Sequence, residues 1–129
     1  MIRARFAALA CAAMLSAGAV AGCRSGTPFD LDPQSGNVVG LVVKNDNYAD
    51  MDVYAVSDGL PTRVGTVTGL SSKTFSVNDS FTKGTDFRIV ATPIGGNGRA
   101  STGPIVAGAG QTIYFTINTT LRTSTVSIR

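Results

Sequence analysis

The chain has no histidine, no tryptophan and no glutamate, and it has only two cysteines. Without histidine, Ser-His-Asp and Cys-His catalysis are excluded. Zinc and most transition-metal sites draw on His and Cys ligands, so they are excluded as well. Every acidic side chain is an aspartate, and carboxylate chemistry must come from eight of them. Beyond the first two dozen residues no apolar run approaches the roughly 20 residues of a membrane-spanning helix. No segment there repeats apolar residues at helical spacing. No run of basic residues argues for nucleic acid.

What is present begins with a three-zone N-terminus. Met1 to Arg5 carries two arginines, Phe6 to Ala19 is apolar and uncharged, and small residues then lead to Cys23. A basic head, an apolar middle and a small-residue exit predict an export signal over 1–22, helical while it is in use. Residues 24–36 are rich in Ser, Gly, Pro and Asp and have little to bury, so 23–36 reads as a flexible tether. The remaining 37–129 is one domain's worth of chain. Removing 1–22 leaves 107 residues. Arg3 and Arg5 leave with the signal, so the net charge falls from +3 to +1. Most of the basic balance therefore belongs to export and not to a binding face.

Val20-Ala21-Gly22-Cys23 resembles the lipobox of bacterial lipoproteins: an aliphatic residue, two small residues, then cysteine. The resemblance implies diacylglycerol on the Cys23 thiol, with palmitate-type chains, and cleavage just before it. It also implies an address in the cell envelope, anchored to the membrane through that lipid. Arg24 is not the Asp that retains enterobacterial lipoproteins in the inner membrane. That favours the periplasmic face of an outer membrane, if the organism has two membranes. Cys11 is a poor rival, because Ala8-Leu9-Ala10 puts a bulky residue where a small one is wanted. The plainer alternative is release after Ala21, since Ala19-Val20-Ala21 fits the small-x-small pattern. That would leave a soluble protein with a free thiol.

From Asn37 the pattern is strand, turn, strand. Candidate strands are Val38 to Lys44, Met51 to Val56, Thr62 to Thr68, Thr74 to Val77, Asp86 to Pro93, Ala100 to Val106, Thr112 to Asn118 and Thr123 to Ile128. Alternating apolar positions and abundant Val, Ile and Thr mark the strands. Asn45-Asp46-Asn47, Ser57-Asp58-Gly59 with Pro61, and Gly95-Gly96-Asn97-Gly98 mark the breaks. The expected fold is all-β: an antiparallel β-sandwich of immunoglobulin or transthyretin-like architecture with seven to eight strands. A small barrel is second. Val39, Leu41, Val43, Val53, Ala55, Phe75, Val77, Phe87, Ile89, Ala91, Ile113, Phe115, Ile117, Val126 and Ile128 are the expected core. The domain also resembles small uncharacterised β-sandwich lipoproteins, through segments such as Asp52-Val53-Tyr54 and Ile89-Val90-Ala91-Thr92-Pro93. That likeness carries no activity.

Few residues offer chemistry. Asp50 and Asp52 stand two apart and would share a strand face, the spacing of a carboxylate pair for work on a sugar or on peptidoglycan. The alternative is that they solvate a turn. Asn45, Asp46 and Asn47 with those two aspartates gather the hard oxygens calcium prefers. They lack the order of a calcium loop, however, and Asn-Asp-Asn equally suits a turn. Ser71, Ser72 and Lys73 could be read as a Ser–Lys dyad, but neighbours on a strand point to opposite faces. The glycines at 95–98 lack the following helix of a phosphate loop. Tyr48, Tyr54 and Tyr114 could form an aromatic surface or cap the core. The reading that best fits these absences is a non-enzymatic, membrane-tethered domain without metal or cofactor. It would bind an envelope partner or serve a structural role through loops 45–50 and 95–99. The alternative is a small enzyme built on Asp50 and Asp52.

Overall fold

The computed structural model describes residues 36–129, and the signal and most of the tether, Cys23 included, lie outside them. Eight strands form two four-stranded sheets. They are β1 (Val38–Asn45), β2 (Met51–Ser57), β3 (Leu60–Val67), β4 (Ser71–Asn78), β5 (Phe87–Pro93), β6 (Ala100–Ser101), β7 (Thr112–Ile117) and β8 (Thr125–Ile128). The first sheet runs β4-β1-β7-β8 and the second β3-β2-β5-β6. The fold is therefore the expected all-β sandwich. Neighbouring strands are antiparallel except for β1 and β7, which pair in parallel. Chain between those two passes through the second sheet, so no tight hairpin has to join them.

The alternation read from the sequence is the alternation of burial. In β1, Val39, Leu41 and Val43 are fully buried, and in β5 Phe87, Ile89 and Ala91 are. Ile113, Phe115 and Ile117 complete the stripe from β7. Twelve of the fifteen expected core residues are buried, and Phe75, Val126 and Ile128 pack half-buried against them. Those three sit on β4 and β8, the outer strands of the first sheet, where one flank has no neighbour. Each large side chain taken fully from water contributes about 1.5–3 kcal/mol before the entropy of ordering is set against it.

Three local features depart from the sequence reading. Pro61 lies inside β3, opposite Val56, and does not end the strand. It is tolerated because β3 is an edge strand, where a missing N–H costs no ladder bond. The turn before it is the two-residue Asp58-Gly59, with φ of 50° and 82°, the left-handed pair that matches hairpin twist. Second, β6 is two residues long, not seven. Gly103 (φ 71°) and Pro104 end its ladder. The segment nevertheless follows β5, with Thr102 N–H donating to Ile89 O at 3.0 Å and Ile105 N–H to Phe87 O at 2.8 Å. Third, two helical turns appear: α1 (Asp79–Thr82) and a 3-10 turn (Leu121–Thr123). The Asn78 side chain caps α1 by accepting from Ser80 N–H. Elements of three or four residues are too short to leave a helical period in the sequence.

The two sheets also meet at one side through β3 and β4. A register shift opposite Val53 and Tyr54 gives β3 an extra residue there. Val64 turns inward at that shift and is buried, and Gly65 follows it. Phe75 of β4 fills the space Gly65 leaves: a Cβ there would stand 2.6 Å from the Phe75 ring edge. Gly65→Ala should therefore displace the ring and cost about 1–3 kcal/mol in denaturant unfolding. Phe75→Leu in the same chain should recover part of that loss. If the two losses simply add, the ring does not sit against Gly65.

Candidate binding surface

Strand directions give the sandwich two distinct ends. The described chain begins beside Val38, at the end that also holds Asp58-Gly59, α1 and residues 102–111. The other end gathers loops 46–50, 68–70, 94–99 and 118–124. Tyr48 is 80% exposed, Leu70 63% and Ile94 55%, and each belongs to a different loop of this far end. Backbone bonds tie the loops together. Leu70 N–H donates to Asn47 O at 3.0 Å, and Ile94 N–H to Asp50 O at 2.9 Å.

The Asn-Asp-Asn segment builds this end. Asn45 is fully buried at the end of β1. Its Nδ2 donates to Ala49 O (2.8 Å), Thr68 O (3.2 Å) and Val67 O (3.4 Å), and its Oδ1 accepts from Asn47 N–H (3.0 Å). Asn47 in turn accepts from Ala49 N–H and donates to Thr119 O at 3.1 Å. Asp46 pairs with Lys44 at 3.0 Å. These side chains close turns onto the protein itself. Among the described residues, no three His, Cys, Asp or Glu side chains gather as metal ligands.

Asp50 and Asp52 are likewise engaged, and separately. Asp50 Oδ1 accepts from Gly69 N–H at 2.9 Å. Asp52 Oδ1 accepts from the Thr66 hydroxyl at 2.7 Å and from Arg63 Nη2 at 2.7 Å. The Thr66 hydroxyl bond, then Arg63, hold the Asp52 carboxyl below its ordinary value. A general acid needs the opposite shift. Asp52 thus fastens β2 to β3 across the outer face of the second sheet.

The other candidates do not converge. Ser71 Oγ donates to Thr68 O at 2.7 Å, while Lys73 Nζ lies 5.3 Å from the centre of the Phe75 ring. The glycines at 95–98 form the β5–β6 connection, with Gly95 and Gly98 at positive φ. Tyr48 is at the far end, Tyr54 half-buried on the outer face of the second sheet, and Tyr114 on that of the first. The tyrosines therefore neither form one surface nor cap the core.

Two shallow concavities lie on the second sheet and its far end, and sequence reasoning missed both. One, of about 360 Å³, is lined by Tyr54, Val56, Pro61 and Val90 of the sheet face and by Arg99. The other, of about 420 Å³, lies between the β5–β6 connection and the 3-10 turn. They join residues remote in sequence, so no local signal announces them.

No family model and no curated protein matches the chain. It is similar to a solved structure, the NMR structure of a protein from Eubacterium rectale. The two are 15% identical with a TM-score of 0.44, over 74% of this chain and 92% of that one. At that level nothing about ligand, partner or activity passes between them.

The Asp52 arrangement has a consequence for pH. Its folded-state value lies below that of the unfolded chain, about 3.9. The stability it contributes is present above the unfolded value and is lost as pH falls through the folded one. Asp52→Asn should lower stability at neutral pH by a fraction of the parent's and leave less acid dependence below pH of about 4. Parallel urea titrations at several pH values measure this. Equal acid limbs in parent and variant would contradict it.

Proposed function

We propose that this chain is an extracytoplasmic lipoprotein whose sandwich works by binding and not by catalysis. The observation that carries the reading is the cluster of mutually bonded loops at the far end of the domain; Leu60 and Val106 are exposed at the near end as well. Chain arriving from Cys23 reaches the Val38 end, while Tyr48, Leu70 and Ile94 stand exposed at the opposite end on loops tied to one another. Exposed apolar side chains held together on a rigid scaffold suit contact with another molecule. A tether of residues 23–36 spans at most about 50 Å at roughly 3.3–3.6 Å per residue, which lets that end stand clear of a bilayer. Among the described residues no helix is long and apolar enough to cross a membrane. On this reading, retention falls to lipid on Cys23, in the outer membrane where the organism has one. One acyl chain holds only marginally, and two or three hold almost permanently.

Cells expressing the parent and Cys23→Ser test both halves of the proposal when each also carries a photo-crosslinking residue at position 48 or 106. The parent should take up labelled palmitate and sediment with membranes, and Cys23→Ser should do neither. Position 48 should trap a reproducible envelope partner. Position 106, as exposed but at the near end, should not. Membrane retention of Cys23→Ser would remove the anchor. Equal trapping at 48 and 106, or none at 48, would remove the far-end binding role.

A further inference from the structure

Eight cationic side chains lie among the described residues, and six are engaged. Lys44, Arg63, Lys83 and Arg88 each pair with an aspartate. Lys73 lies over the Phe75 ring and Arg129 over that of Tyr114. Arg99 and Arg122 have no such partner among the described residues. These same two side chains line one concavity, that of about 420 Å³, together with Gly98, Ser101 and Leu121.

The placement follows from the fold. Arg99 ends the β5–β6 connection of the second sheet, and Arg122 is the middle residue of the 3-10 turn leading into β8 of the first. The two segments touch where Leu121 Cδ1 lies 3.3 Å from the point a Cβ on Gly98 would occupy. Two guanidinium groups without an aspartate partner among the described residues thus line one seam between the sheets. The lining contains no carboxylate to oppose them. Guanidinium groups favour carboxylate and phosphate oxygens, which they meet with paired N–H donors. Arg99 also borders the second concavity, where Tyr54, Val56, Pro61 and Val90 offer an apolar shelf. Both volumes fall at the lower end of the roughly 300–1,000 Å³ usual for small-molecule clefts.

We propose that Arg99 and Arg122 form an anion subsite for an acidic sugar, with the carboxylate or phosphate on the arginines and the sugar ring on the Tyr54 shelf. The proposal deepens the binding role above and rests on it, but not on the lipid anchor. An acidic glycan fits better than an acidic peptide because the concavity that Arg99 shares lies over the face of the sheet, across Tyr54, Val56 and Val90, and not along a sheet edge to which a peptide backbone could add. The arginines supply the charge, and Tyr54 selects for a ring.

The test uses the full exported chain, solubilised in a polyoxyethylene detergent, with saturation-transfer NMR read on the ligand. Glucuronate, glucose and inorganic phosphate are the probes. Glucuronate should receive saturation and glucose should not, and inorganic phosphate should displace glucuronate. Arg99→Gln and Arg122→Gln should each weaken glucuronate about tenfold or more while the melting temperature holds. Tyr54→Ala should weaken glucuronate but leave phosphate binding in place. Equal binding of glucose and glucuronate would overturn the proposal. So would parent-like affinity in the chain carrying both Gln substitutions, or displacement of glucuronate by an aspartate-rich peptide at lower concentration than by phosphate. Loss of glucuronate binding with the position-48 crosslink intact would count against this subsite alone. Loss of the crosslink with glucuronate still bound would count against the far-end partner alone.

Discussion

The buried amide of Asn45 is the constraint from which the far end of the sandwich is built. It sits at the end of β1 in the first sheet, and its Nδ2 reaches Val67 O and Thr68 O at the end of β3 in the second. The same amide closes the β1–β2 turn through Ala49 O and Asn47 N–H. With that turn fixed, Asn47 accepts Leu70 N–H on its carbonyl oxygen and donates its side chain to Thr119 O. Asp46 N–H meets Ile117 O at 2.8 Å. The Asn45 amide thus holds two of the four loops directly, and Asn47 carries the link on to a third. A polar group in a dry interior is costly unless its partners are all present, so the arrangement tends to hold as a unit.

Much of this architecture was legible in the sequence, and the exceptions have physical reasons. Period-2 alternation located the strands because each has one face on a single shared core. It did not identify Met51, Val64, Val67, Ala100 and Ala107 as buried. Val64 goes inward only because β3 gains a residue at its register shift, which no alternation can anticipate. Asn45 read as a turn or a cation ligand, since Asn-Asp-Asn has the same composition in either role. Its burial depends on the carbonyls of residues 67 and 68, more than twenty positions away. Asp50 and Asp52 share a spacing but not a site, because one answers to Gly69 and the other to Thr66 and Arg63.

The distribution of charge makes the same point from another side. Four of the eight aspartates of the chain are matched to nearby cations, and two more accept backbone N–H groups in turns. Among the described residues, these aspartates hold turns and strands of the domain itself. The arginines at the seam between the β5–β6 connection and the 3-10 turn stand outside that pattern. Among the described residues these two arginines have no aspartate partner, which is why the proposed anion is placed there.

The measurement that bears most directly on this account is the unfolding free energy of Asn45→Asp in the purified chain, set beside Asn97→Asp in the exposed 94–99 loop. The first substitution keeps the shape but turns a donor among carbonyl oxygens into a buried carboxylate. It should cost about 3 kcal/mol or more, with the denaturant slope unchanged. The Asn97 control should stay within about 0.5 kcal/mol of the parent. An Asn45→Asp chain as stable as that control would mean that the amide does not hold the two sheets together.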